Sequence, residues 1–200
     1  MHARPDRRRP PAVFPAPVRP TVPIGRVRGP RRLVIDMHAL TESAIRASFV
    51  NASRKEVSDL ALPLDFAETE WERLDFYGWR DRKAPRRSAV VVPSDDGPIG
   101  VLLKRAEAVP RQRAQCSWCQ DVELANEVVF YSAKRAGAAG RNGDTIGTLV
   151  CAEFGCSANA RKRPAVAYVG FDVEAARAER MTGLVERVTA FARSVRDGLD

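Results

Sequence analysis

An α+β fold is predicted for this chain: a small antiparallel β-sheet, short helices before it and one long amphipathic helix after it. Three observations predict it. Two pairs of β-rich segments each flank a turn-forming stretch, SAVVVP and GPIGVLLKR around SDDG, then EVVFYSAKRA and TIGTLVC around GAAGRNGD. The only four cysteines stand in two close pairs that bracket the second hairpin, CSWC at 116–119 and CAEFGC at 151–156. The segment after Asp172 carries apolar residues at helical spacing.

In chain order, residues 1–36 come first. They hold nine Arg, two Asp and eight of the 14 prolines, a net charge of +7 out of +8 for the whole chain. The basicity therefore belongs to a leader, and the remaining residues, with 24 basic and 23 acidic side chains, are nearly neutral. Proline at this density precludes helix and ladder, so the leader is predicted to be disordered. Two other readings stay open: a basic arm that touches RNA, and upstream sequence mis-assigned to a chain whose true start is Met37.

Residues 37–62 read as a short helical arm. Thr41 is placed to cap a first helix, with Leu40 and Ile45 at the spacing of a hydrophobic staple and Ile45 and Phe49 on one face. A second helical piece spans Ser53–Asp59 and ends before Pro63. The arm either packs on the main domain or serves as a separate binding element.

The α+β domain is expected over 63–200. WERLDFYGWRDRKAPRR at 71–87 is dense in aromatics, and Trp71, Phe76, Tyr77 and Trp79 are expected in the core, with a partner surface as the other reading. SAVVVP and GPIGVLLKR follow as a hairpin around an Asp-Asp-Gly turn. In the second hairpin the glycines at 137, 140 and 143 join two strands, which is a hairpin tip and not a phosphate loop opening a helix. Helix 172–197 closes the chain, with Met181, Leu184, Val185, Val188, Phe191, Ala192 and Val195 in one stripe. Asp172 and Glu174 sit at the positive end of its dipole, and Arg193 and Arg196 at the negative end.

No apolar run, AVVV at 89–92 included, is long enough to cross a bilayer, and no apolar stretch follows the first arginines as in a secretory signal. The expected setting is cytoplasmic and reducing, where paired cysteines mean metal or redox chemistry more often than disulfides. A redox CxxC calls for a βαβ context and no second pair. A knuckle, a hairpin, a second pair and then a short helix in SANARKR form instead the treble-clef order over 116–163. Cys116, Cys119, Cys151 and Cys156 are thus the predicted ligands of one Zn²⁺, and four protein ligands leave no open position, so the zinc is structural. The spacing CxxxxC in the second pair is looser than the usual CxxC.

With WERLDFYGWRDRKAP, SAVVVP, CSWC, KRAGAAGRNGDTIGTLVCAEFGCS and RKRP together, the chain resembles the elongation factor G-binding family, the fusidic-acid-resistance type, over roughly Leu40 to Pro164. The resemblance implies a non-enzymatic protein that binds elongation factor G and aids its release from the ribosome. The family's resistance proteins carry a larger N-terminal helical domain, to which only residues 37–62 could correspond. By the same resemblance the partner meets the zinc half around the hairpin Lys134–Thr148 and the segment after Cys156: Lys134, Arg135 and Arg141 near the tip, Thr148, and Leu149, which stands where relatives often have an aromatic.

The competing reading is a ribosome- or RNA-binding zinc module, for which Arg161, Lys162 and Arg163 add to the basic side chains. Residues 111–163 hold eight basic and five acidic side chains, a modest excess for a dedicated RNA binder. No catalytic residues, small-molecule substrate or membrane are expected. The two histidines, His2 and His38, lie outside the predicted core, which removes the commonest general base.

Overall fold

The computed structural model describes residues 37–107, 112, 114–121, 127–164 and 168–198. The leader, and with it the three readings of residues 1–36, lies outside the described residues. The backbone forms a five-stranded antiparallel meander in the order β1-β2-β3-β4-β5. The strands are β1 (Tyr77–Arg80), β2 (Arg87–Val92), β3 (Ile99–Arg105), β4 (Val128–Lys134) and β5 (Thr145–Cys151).

Both predicted hairpins form. The β2–β3 turn closes where SDDG places it: Gly97 N–H donates to the Ser94 carbonyl at 3.1 Å, with Gly97 in the left-handed region at φ 102. In the second hairpin the tip differs from a plain loop. Residues Gly137–Arg141 make a single helical turn, α3, between β4 and β5. Ala138 and Ala139 favour the helix, and Gly140 packs so tightly that an added Cβ would sit 1.8 Å from the Arg135 carbonyl oxygen. The aromatic stretch contributes the edge strand β1, which its composition as core material did not reveal.

The two faces of the sheet bury separate cores. On one, Val90, Val101, Leu103, Val129, Tyr131 and Val150 pack with Trp118 and Phe154 of the cysteine knuckles. The long helix α5 (Val173–Asp197) covers this face with Leu184, Val188, Phe191, Ala192 and Val195, from an Asp172 N-cap to a left-handed Gly198 C-cap. On the other, Tyr77, Trp79, Ala89 and Val91 meet Met37, Ile45 and Leu60 of the arm, with Phe66 and Trp71 at the rim. Helix α1 (Glu42–Ala47) starts on the predicted Thr41 cap, and α2 (Arg54–Asp59), within the predicted span, starts on a Ser53–Glu56 capping box that the structure adds.

Between these helices, residues 48–51 act as a wedge. β3 and β4 pair only at Lys104–Ser132 and Arg105–Tyr131, then splay. Gly100 N–H donates to the Ser48 carbonyl at 2.9 Å and Val50 N–H to the Gly100 carbonyl at 3.0 Å. The Asn51 side chain spans the gap: its Oδ1 accepts from Leu102 N–H at 2.8 Å, and Nδ2 donates to the carbonyls of Leu102 at 3.0 Å and Lys134 at 2.9 Å. Glycine at position 100 allows this close approach: a Cβ there would stand 2.5 Å from Ser48 Oγ and 3.0 Å from the Phe49 nitrogen, so a side chain would force the wedge to shift.

Candidate metal centre

The four cysteines converge from two tight turns. Cys116 and Cys119 flank a turn closed by Gln120 N–H on the Cys116 carbonyl at 3.0 Å, with Gln120 at φ 52. After Cys151, which ends β5, Phe154 at φ 55 donates to the Cys151 carbonyl at 3.0 Å, and Cys156 opens helix α4 (Cys156–Arg161). Left-handed backbone at two non-glycine residues costs on the order of 1 kcal/mol each. The looser CxxxxC spacing is accommodated because Phe154 and Gly155 turn the chain back before the helix begins.

All four Sγ atoms lie within 4.8 Å of one another and all four cysteines are buried. Cys116 Sγ is 3.7 Å from Cys156 Sγ, and Cys119 Sγ is 3.7 Å from Cys151 Sγ. A tetrahedron with zinc–sulfur bonds of about 2.3 Å has edges of about 3.8 Å, so the donor set fits this ion closely. The separations exclude disulfides, whose sulfurs bond at about 2.0 Å.

Electrostatics point the same way. Donation from Cys119, Cys151 and Cys156 holds the Cys116 thiol far below its usual range. The bond to Cys116 in turn pushes Cys156 far above its own range. Four buried sulfurs at this spacing cannot all ionise without a cation among them, and a dication removes the conflict. Asn159 adds an amide donor to the cluster, with Nδ2 at 3.6 Å from Cys151 Sγ and 3.8 Å from Cys119 Sγ. Its place three residues after Cys156, on the same helical face, is the signal from which it could have been foreseen.

The long helix also braces the knuckles. Arg187 Nε donates to the Trp118 carbonyl at 2.7 Å, and Arg180 donates to the Asn159 carbonyl at 3.0 Å and meets Asp121 at 3.4 Å. Arg161 from α4 ion-pairs with the buried Asp75, whose N–H donates to Ser157 Oγ at 3.0 Å. Arg161 is therefore committed within the fold, which leaves Lys162 and Arg163 as the exposed bases after the last cysteine.

The hairpin residues separate into two groups. Lys134 and Arg141 are exposed, and Leu149 is half-buried. Arg135 is half-buried and donates through Nη1 to the Ser194 carbonyl of α5 at 2.8 Å. Thr148 is buried on the core face, paired across the ladder with Tyr131. Leu149 is paired instead with Phe130, which is 42 % exposed and was not foreseen from the sequence. Its apolar neighbours in EVVFYSAK read equally as core, and only the strand register assigns it outward.

Residues 44–195 match the family model of the FBP C-terminal treble-clef zinc-finger. No curated protein matches the chain. Among solved structures, that of the fusidic acid resistance protein FusC is similar at a TM-score of 0.47 and 16% identity, covering 62% of this chain and 54% of FusC, so this chain spans about half the length of that protein. With the match running over most of its length and through all four cysteines, the chain belongs to the FBP C-terminal treble-clef zinc-finger family, and Cys116, Cys119, Cys151 and Cys156 form its site for one zinc ion.

Proposed function

We propose that this protein is a non-enzymatic binding factor of translation, which uses its zinc half to bind elongation factor G and aid its release from the ribosome. Family membership over residues 44–195 is the observation that carries this reading, because it includes every segment on which the sequence resemblance to elongation factor G-binding proteins rests. Four protein ligands saturate a tetrahedral zinc, so the ion shapes a surface and offers no open position to a substrate. No described helix is long and apolar enough to cross a membrane. The cytoplasm, where the ribosome is found, is the proposed compartment.

The proposed contact is the outward face of the β4–α3–β5 hairpin. Phe130 and Leu149 supply apolar area there, while Lys134 and Arg141 supply charge for an acidic protein surface. Arg135 and Thr148 serve from behind, the first holding the hairpin to α5 and the second filling the core. Titrating elongation factor G calorimetrically against the wild type and Lys134→Glu/Arg141→Glu, with zinc content as the folding control, tests this. The double variant should bind roughly tenfold more weakly, by lost attraction and new like-charge repulsion. Equal affinities would remove this face as the interface. No binding by the wild type, together with ribosomal RNA binding that falls steeply with salt, would replace the reading by an RNA-binding one.

A further inference from the structure

β1 is one end of the sheet, and its second edge pairs with no strand among the described residues. In the β1–β2 ladder, Asp81 N–H donates to the Arg87 carbonyl at 2.9 Å. Antiparallel alternation then turns the backbone groups of Tyr77 and Trp79 toward β2, and leaves those of Gly78 and Arg80 facing outward. Edge strands are commonly blunted by proline, a bulge or an inward-pointing charge. Here the middle of the edge is a glycine.

This edge is the floor of an open groove. One wall is the segment from Pro63 to Leu74, and the other is the second knuckle with α4, including Phe154, Ala158 and Lys162. The walls stand on opposite faces of the sheet, since Phe66 and Trp71 pack against Tyr77 while Phe154 packs against Gly78. Several charges in the groove are paired with each other or with the fold: Glu70 with Arg73, Glu153 with Arg80, and Arg161 with Asp75. Four exposed ones have no ion-pair partner among the described residues. Asp65 and Glu68 lie on the first wall, Lys162 on the second, and Arg82 at the end of the floor.

We infer that the β1 edge takes an extended segment of a partner protein as a sixth strand, one in which lysine or arginine alternates with aspartate or glutamate. Successive side chains of an added strand point to opposite faces. One set therefore meets the carboxylates of Asp65 and Glu68, and the other meets Lys162 and Arg82. The outward N–H and C=O groups of Gly78 and Arg80 supply the ladder, and the alternating charges supply register. This surface lies at the opposite end of the sheet from β5 and does not depend on the hairpin as an interface for elongation factor G.

The test is a titration of isotope-labelled full-length protein, its zinc content verified, with an octapeptide of alternating lysine and glutamate. A second octapeptide of the same composition, with lysines and glutamates in separate blocks, is the control. The Gly78 and Arg80 amide resonances should shift and saturate with the alternating peptide, at least about fivefold tighter than with the block peptide. Arg82→Glu/Lys162→Glu, which makes both sides of the groove acidic, should weaken the alternating peptide by about fivefold to tenfold. Silent Gly78 and Arg80 amides, an equal response to the two peptides, or undiminished binding by the double variant would each overturn the inference.

Discussion

Asn51→Ala should lower the melting temperature by about 5–10 °C while leaving one zinc per chain. The side chain makes three hydrogen bonds across the splayed β3–β4 gap, two with Leu102 and one with the Lys134 carbonyl. Water can replace the exposed bond at Lys134, but the Leu102 N–H and C=O are only partly accessible and lose their partners. Each orphaned backbone group of that kind costs about 1–3 kcal/mol, so the net loss is roughly 2–4 kcal/mol after discounting for access. For a domain of this size each kcal/mol corresponds to about 2–4 °C. Thermal unfolding followed by circular dichroism, with metal analysis of the same sample, reads both quantities. Asn51→Asp refines the test. Its carboxylate still accepts from Leu102 N–H but faces two carbonyl oxygens, so it should be no better than Ala at neutral pH and should recover stability on acidification, when it regains a donor. A melting temperature unchanged in Asn51→Ala would refute the wedge as a support of the sheet.

The remaining predictions concern the core and the metal. Purified protein should contain one zinc, and Cys156→Ser or strong chelation should release it and abolish the near-ultraviolet signal of the buried Trp118; a metal-free protein that keeps that signal would refute a structural ion. Gly100→Ala should destabilise by roughly 1–3 kcal/mol in urea unfolding, because the new methyl meets Ser48 Oγ at 2.5 Å and backbone at 3.0 Å; a neutral effect would mean that residues 48–51 yield easily. Burial raises the Tyr77 phenol from 10.0 to about 12, so the unfolded chain ionises first as pH rises. The stability this neutral phenol contributes is fully present below pH 10 and is lost between about pH 10 and 12. Tyr77→Phe should remove part of that alkaline fall, and an identical pH profile would refute the assignment.

The parts of this fold that were legible in the sequence are those written in local chemistry. Thr41 caps the helix it should, SDDG turns the first hairpin, and the stripe from Met181 to Val195 lies on the sheet. The metal site was equally legible, because two close cysteine pairs around a hairpin leave few alternatives. What stayed hidden depends on long-range placement. The wedge at residues 48–51 looks like any short inter-helix loop, and its role appears only when Gly100, far along the chain, is brought against it. The outward Phe130 and the inward Thr148 were indistinguishable by residue type, since alternation identifies two faces but not which of them is covered. Arg161 and Arg135 read as surface charge and turn out to hold α4 and α5 in place.

The uneven covering of the sheet explains why the hairpin, and not another surface, is the proposed interface. Both faces of β1, β2 and β3 are covered, one by α5 and the knuckles and the other by the arm. The arm reaches no further than the wedge, where Asn51 bonds to the Lys134 carbonyl. Beyond that bond the outer face of β4 and β5 is buried at its Val128–Cys151 end, half-buried at Leu149, and exposed from Phe130 to the hairpin tip, at Lys134, Thr145 and Gly147. The same bond joins the arm to the end of β4, next to the exposed Lys134 and the α3 turn. On the other side, Arg135 joins that turn to α5. The open face is therefore held at fixed height by two anchors and backed by the zinc, the arrangement a partner surface needs if ordering costs are to be met before binding. It follows that Asn51→Ala should weaken elongation factor G binding as well as stability, although Asn51 lies in the arm. A variant that lost stability but kept full affinity would mean that the partner engages the hairpin without regard to its anchoring.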